Sequence, residues 1–198
     1  MLLAVNTTNH EIVVAAAEGQ LPAWAVAGER RRAHMARVAD LLGTWSKAMA
    51  LPEAECTRWR AAGYLHDALR EAPPALLRAK VPPGAAVLPG PILHGPAVAE
   101  RLRVDGVLDG EFLQALAHHT VGHPSLGRLG RALYVADFLD PGREFQPEWR
   151  QRLRDRMPDA LNAVTLEIAG ARIRHVVESG MEILPDAVRF WNALVKPS

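Results

Sequence analysis

Cysteine is almost missing from this chain: Cys56 is the only one in 198 residues. No internal disulfide can form, which fits a reducing cytoplasm, and no zinc site built from several thiolates is available. An excess of one charge is missing too. The formal net charge is +1 and the pI near 8.0, which argues against nucleic-acid binding through bulk charge, since that needs a concentrated basic surface. The arginine runs Glu29-Arg30-Arg31-Arg32 and Arg150 to Arg156 are short or mixed with acids and read as solvated helix faces. No apolar run approaches the roughly 18 residues of a membrane helix. The stretch Glu11 to Ala27 is rich in alanine and valine, but it carries Glu11, Glu18 and Pro22 and lacks a basic start. It makes a poor signal peptide. The expectation is a soluble cytoplasmic protein with neither a membrane nor a nucleic acid as partner.

Internal repeats, low-complexity linkers and a Gly-x-Ser-x-Gly elbow for a serine nucleophile are absent as well. Cys56 has no obvious base near it in sequence. Strand signals are few, with Leu2 to Val5 and Ile12 to Val14 short and weak.

What is present is helical periodicity in an ordinary globular composition, 49% hydrophobic and 23% charged. His34, Val38, Leu41 and Trp45 form one stripe of a helix from about Glu29 to Met49. Pro52 and Glu53 open a second helix, with Trp59, Ala62 and His66 on one face. Shorter helices are expected at Pro74 to Ala79, Pro96 to Arg103 and Glu111 to His119. Another carries Leu126, Leu129, Leu133 and Asp137, closed by Asp140-Pro141-Gly142. A long one runs from Asp159 to Ser179 and stops at Gly180, and the last spans Asp186 to Val195. Val81 to Pro91, rich in proline and glycine, is a surface loop. The fold class is all-α, one domain.

The chemistry is visible in where polar residues interrupt these apolar faces. His34 opens one stripe, Asp137 ends another, and His66-Asp67 closes a helix whose inner face also points to the core. Unpaired buried carboxylates are costly, so such positions need partners or a metal. Each residue alone has a plainer explanation: a hydrogen-bonded core histidine, or an Asp137 paired with Arg143 or Arg131. The order His34, His66-Asp67, His94, His119, Asp137 is far more specific. Imidazoles with carboxylates suit iron, manganese, cobalt or zinc, and exclude copper(I). His94 and His119 are available for a second ion or as donors to phosphate.

That order resembles the signature of the HD-domain metal-dependent phosphohydrolases. The segments Ile92-Leu93-His94-Gly95-Pro96, His119 to Pro124, Leu133 to Arg143, and Ile183-Leu184-Pro185-Asp186 with Trp191-Asn192 are similar to those of the YqeK-type bacterial symmetrical diadenosine tetraphosphate hydrolases. The similarity covers roughly Arg30 to Leu194. It implies an HD-domain helical bundle over residues 28–198, preceded by an extension of unassigned role at residues 1–27. It also implies an iron site at His34, His66, Asp67 and Asp137. Nucleotide contacts are implied at Arg31, at Asp67, Ala68, Leu69 and Arg70, at His94 and His119, near Ser125 and Leu126, and at Arg143. Three residues depart from the family: Arg70 stands where lysine is usual, His123 where arginine is common, and Asp140 where glutamate is typical. The implied products are two molecules of ADP, and a homodimer is possible in such a family.

Charge supports this reading. A dinucleoside tetraphosphate carries about four negative charges, and Arg31, Arg70 and Arg143 are permanent cations able to grip its oxygens. A metal-activated water is the most economical nucleophile, because a bound ion lowers the pKa of water from about 15.7 to about 7. Asp67 and His66 are the catalytic candidates, with Asp67 orienting the water or taking its proton. The competing expectations are another HD phosphohydrolase acting on a nucleoside monophosphate or guanosine alarmone, and a metal- or nucleotide-binding regulator without turnover.

Overall fold

The computed structural model describes residues 10–196. Among them are ten α-helices and a 3-10 turn at Gly90–Ile92, with no strand. The weak strand signal at Leu2 to Val5 lies outside the described residues. The one at Ile12 to Val14 marks no strand: these residues sit inside helix α1, Glu11–Ala17, in keeping with the all-α reading. Their β-branched run is outweighed by the alanines that follow and by a cap, since the His10 side chain accepts from the Ile12 N–H at 3.3 Å.

Two helical hairpins explain how distant ligands meet. Helix α2 (Glu29–Ala48) turns at Pro52 into α3 (Glu53–Leu65). His34 lies near the start of the first and His66 caps the end of the second. The pair therefore returns the second histidine to the first. After α4 (Pro74–Arg78), the same construction repeats with α5 (His94–Val104) and α6 (Gly110–His118). His94 begins that hairpin and His119 caps its end. Helix α5 begins two residues earlier than expected, because Pro96 falls in the first turn, where no backbone N–H is needed. Helix α7 (Arg128–Phe138) packs on α2, α3 and α6 and presents Asp137 from its last turn.

The remaining helices close the bundle. Helix α8 (Pro147–Asp155) is absent from the expectations, although Pro147 at its first turn is a start signal. Its Arg150 and Leu153 are buried, so this stretch is not merely a solvated face. Helices α9 (Leu161–Glu178) and α10 (Pro185–Val195) pack on each other, and α9 also packs on α7. Phe190 of α10 is buried edge-on against Tyr134 of α7, with ring centroids 5.3 Å apart. Residues 10–27 lie on the bundle through Val13, Ala16 and Ala17. Trp24 donates to Asp105 Oδ2 at 2.8 Å, and the Val26 N–H donates to the Ala68 carbonyl at 2.7 Å.

The approach of α2 to α3 depends on one glycine. A Cβ at Gly63 would sit 2.6 Å from the Ala39 nitrogen, inside van der Waals contact with rigid helix backbone. Gly63→Ala must therefore force the hairpin apart, at a cost of about 3 kcal/mol. For a chain of this size that lowers the melting temperature by roughly 6–12 °C. Thermal circular dichroism is the check, and an unchanged midpoint would refute so close a contact.

Candidate functional site

The two hairpins and α7 bring His34, His66, Asp67, His94, His119 and Asp137 to one place, all of them buried. The hydrogen bonds of the imidazoles fix their orientation. His66 Nδ1 meets the Gly63 carbonyl at 2.8 Å, His94 Nδ1 the Pro91 carbonyl at 2.9 Å, and His119 Nδ1 the Leu116 carbonyl at 2.8 Å. Carbonyls only accept, so these three rings carry their proton on Nδ1 and turn a lone pair inward from Nε2. His34 Nδ1 instead faces the Asp140 carboxylate at 2.7 Å. The Nε2 atoms of His34 and His66 then lie 3.3 Å apart, and those of His94 and His119 3.1 Å apart. Between His94 and His119 two lone pairs so close repel unless a cation sits between them.

The carboxylates complete two donor sets. Asp67 Oδ2 is 3.7 Å from His34 Nε2 and 3.5 Å from His66 Nε2, while Asp137 Oδ1 is 3.3 Å from His34 Nε2. Ligands at bonds of about 2.1 Å around a tetrahedral ion stand about 3.4 Å apart, so the spacing of His34, His66 and Asp67 fits a divalent transition metal, while Asp137 approaches this group through His34. The other oxygen, Asp67 Oδ1, is 3.0 Å from His94 Nε2 and 3.5 Å from His119 Nε2. Asp67 thus joins both sets, His34-His66-Asp67 and Asp67-His94-His119.

Electrostatics follow from this crowding. Burial pushes His66 down to about 4, so it stays neutral and able to ligate. Burial likewise lowers His94, which leaves its Nε2 as an acceptor rather than a proton donor. Burial works against the charged form of Asp67, but His66, His119 and His94 outweigh it and hold the carboxyl well below the usual range. Asp137 is similarly depressed, against burial, by His34, Arg172 and Arg143.

His34 goes the other way. Burial opposes its charge, yet the hydrogen bonds to Asp137 and Asp140 raise it to about 9. In the metal-free protein it is therefore protonated at neutral pH, and a cation must displace that proton to reach Nε2. The sign is plain: divalent-metal affinity should climb about tenfold per pH unit up to about 9 and level off above it. Chelator competition across pH 6 to 10 measures the slope. A flat profile would refute a protonated His34.

Two functional residues were given no role in the sequence. Asp140, read there as a turn residue, is buried and orients His34. Its oxygens also accept from Arg37 Nε at 2.6 Å, Arg37 Nη2 at 2.9 Å and the Gly142 N–H at 2.9 Å. Such a carboxylate behind a ligating imidazole fixes its tautomer and its aim. Arg172 of α9 donates to Asp137 Oδ2 at 3.2 Å and to the Thr120 carbonyl at 2.7 Å, with its guanidinium 4.4 Å from the Tyr134 ring centroid. Only the burial of Asp140 among arginines, and a lone arginine on the inner face of α9, would have marked these two.

An open cleft of about 2080 Å³ lies over the cluster. Arg31, Asp67, Arg70, His94, His119, Asp137 and Arg143 all line it. Arg31 donates to Asp67 Oδ2 at 2.6 Å and Arg143 to Asp137 Oδ1 at 3.0 Å. Ala68, Leu69 and Leu126 do not line it; their side chains are in the core. Ser125 is exposed, bonded at 2.6 Å to His123, and also outside the lining.

Residues 31–142 match the HD domain family, and the chain belongs to that family. The relatives it resembles include the symmetrical bis(5'-nucleosyl)-tetraphosphatases of Halalkalibacterium halodurans and Bacillus subtilis. The first is 28% identical over 105 residues, covering 52% of this chain and 55% of the relative. The second is 28% identical over 106 residues, covering 53% and 56%. The chain thus spans about half the length of the curated relatives it matches. Among solved structures it resembles a Clostridium acetobutylicum protein described as an HD superfamily hydrolase involved in NAD metabolism. The TM-score is 0.75 at 25% identity, covering 85% of this chain and 90% of that one.

Proposed function

We propose that this chain is a metal-dependent hydrolase that cuts diadenosine tetraphosphate symmetrically into two molecules of ADP. The observation that carries the reading is Asp67 between two converging imidazole pairs, beneath a cleft whose wall carries Arg31, Arg70 and Arg143. The relatives' names supply the substrate. Proposed metal ligands are His34, His66, Asp67 and Asp137, with iron the first choice and manganese or cobalt able to replace it. His94 and His119 complete a second position if two ions bind.

A divalent cation held by these donors would supply Lewis acidity, making water nucleophilic near neutral pH and neutralising phosphate charge. The protein's own groups do the rest. Arg143 and Arg31 contact the carboxylates in this structure and can turn to phosphoryl oxygens, which accept the same forked donors. Asp67, held anionic, orients the attacking water and accepts its proton at a carboxylate oxygen. His66, held neutral, keeps Nε2 free as an acceptor. Arg70, half-buried and bonded to the Pro91 carbonyl at 3.2 Å, reaches the outer phosphates. Ala68 and Leu69 contribute through backbone alone, and Ser125 with Leu126 set the far end of the loop after α6.

Residues 1–27 are proposed to be an accessory extension to the catalytic domain at residues 28–198. The Val26 contact to the Ala68 carbonyl buttresses the backbone next to Asp67. No helix among the described residues is long and apolar enough to cross a membrane. A cytoplasmic location, possession of no nucleic-acid partner and assembly as a homodimer are further parts of the proposal.

The test is product identification. Purified protein, loaded with iron, manganese or cobalt and checked by elemental analysis, is given diadenosine tetraphosphate and the products are separated. Two ADP support the reading. AMP with ATP, or orthophosphate release from a nucleoside monophosphate or guanosine alarmone instead, would replace it with another HD phosphohydrolase. Bound nucleotide that survives excess metal would indicate a regulator.

A further inference from the structure

Phe145 is the one phenylalanine, tyrosine or tryptophan side chain among the described residues that is largely open to solvent, 70% exposed, and it lies on the rim of the cleft. The other aromatic rings of the cleft are already engaged. Tyr134 stands edge-on to Phe190 and beneath Arg172. Phe138 meets Trp149 at 5.7 Å and Arg150 at 4.2 Å between centres. The Trp149 indole donates to Glu167 at 2.9 Å, and Trp191 lies against Gly170. Phe145 offers the most open of these rings.

Its exposure does not come from a loose backbone. The segment between α7 and α8 is pinned at one end by the Gly142 N–H on Asp140 Oδ1, at 2.9 Å, and the Arg143 N–H on the Asp140 carbonyl, at 3.0 Å. At the other end Arg150 Nε donates to the Phe145 carbonyl at 2.7 Å, and Gln146 takes a left-handed conformation with φ 51°. The strap is anchored while its side chains face solvent and cleft. Two residues before Phe145 on this strap, Arg143 points at Asp137. One short segment therefore presents a guanidinium inward, where phosphate is expected, and a flat apolar ring farther out. A nucleotide offers the same sequence of chemistry, an anionic group followed by a flat aromatic base.

We propose that Phe145 is the base platform, stacking on the purine of a nucleotide whose phosphates lie against Arg143 and the histidine-aspartate cluster. This rests on the nucleotide-hydrolase reading above. Stacking of one base on an aromatic side chain corresponds to a loss of about 5- to 150-fold in affinity when the ring is removed. Because every base has a π-face, Phe145 selects for a base rather than for its identity, and the charge pattern of the cluster selects for polyphosphate.

The experiment compares ADP with inorganic tripolyphosphate, each titrated calorimetrically into the metal-loaded full chain. Phe145→Ala should weaken ADP about 5- to 150-fold and leave tripolyphosphate unchanged, and Phe145→Trp should restore ADP binding. Unchanged ADP affinity in Phe145→Ala would overturn the platform alone. An equal loss for both probes would overturn it too, by making the ring a support for Arg143. Wild-type protein that binds tripolyphosphate but not ADP would overturn both the platform and the nucleotide reading. The ring is exposed, so the substitution leaves the core intact, and thermal melting confirms that the variant is folded.

Discussion

Asp67→Ala should abolish turnover, with a fall in kcat of at least about 10³-fold, and should strip the protein of its divalent metal while leaving its helix content intact. The gross ease of deprotonating water at a bound ion is on the order of 12 kcal/mol, and even a third of it corresponds to this factor. Asp67 matters more than any single imidazole because its two oxygens face different donor sets, Oδ2 toward His34 and His66 and Oδ1 toward His94 and His119. Removing it leaves Arg31 without its 2.6 Å carboxylate partner and His94 and His119 with no anion between them. Elemental analysis, steady-state kinetics and far-ultraviolet circular dichroism are read together. A metal-free Asp67→Ala protein that still hydrolyses its substrate at the normal rate would end the case for the cluster.

The second large effect concerns the two arginines flanking Asp137. Arg143→Ala should raise KM or lower kcat without removing metal, by about 10- to 100-fold in kcat/KM, the size of one or two charge-assisted hydrogen bonds. Arg172→Ala should cost a similar factor and, unlike Arg143→Ala, should also weaken metal binding. Arg172 holds Asp137 Oδ2 and the Thr120 carbonyl at once, so its loss frees both a proposed ligand and the turn that follows His119. Arg172→Lys keeps the charge but cannot span both acceptors as a planar fork, and should recover only part of the loss. Metal loss in Arg143→Ala would count against its role at phosphate. Full metal retention in Arg172→Ala would count against the positioning of Asp137.

The proposed ligands were legible because a polar residue on an apolar helical face is anomalous within one element. His34 and Asp137 each end such a stripe, and His66-Asp67 closes another. The helices carrying them were legible for the same reason, since burial imposes the 3.6-residue period. What escaped is mostly tertiary. Asp140 looks like an ordinary turn residue until α2 brings Arg37 and His34 against it from about a hundred positions away. Arg172 lies 35 residues beyond Asp137, in a helix where charged residues are common. Helix α8 was obscured because its arginines suggested a solvated face, although Arg150 is buried and bonds to the Phe138 and Phe145 carbonyls. Residues 12–14 carried a weak strand signal that the all-α reading set aside, and local β-branching gave no hint of the helix cap at His10.

Because the hairpins present their histidines only at their open ends, whatever occupies the gap fastens chain segments as far apart as His34 and Asp137. Occupancy then acts as a removable clasp on the folded chain. By mass action, a hundredfold excess of free ion over its dissociation constant adds about 2.7 kcal/mol to folding stability. The heat tolerance of any preparation would therefore report how fully it is loaded, and a chelator should soften the protein from the mouth of the hairpins inward.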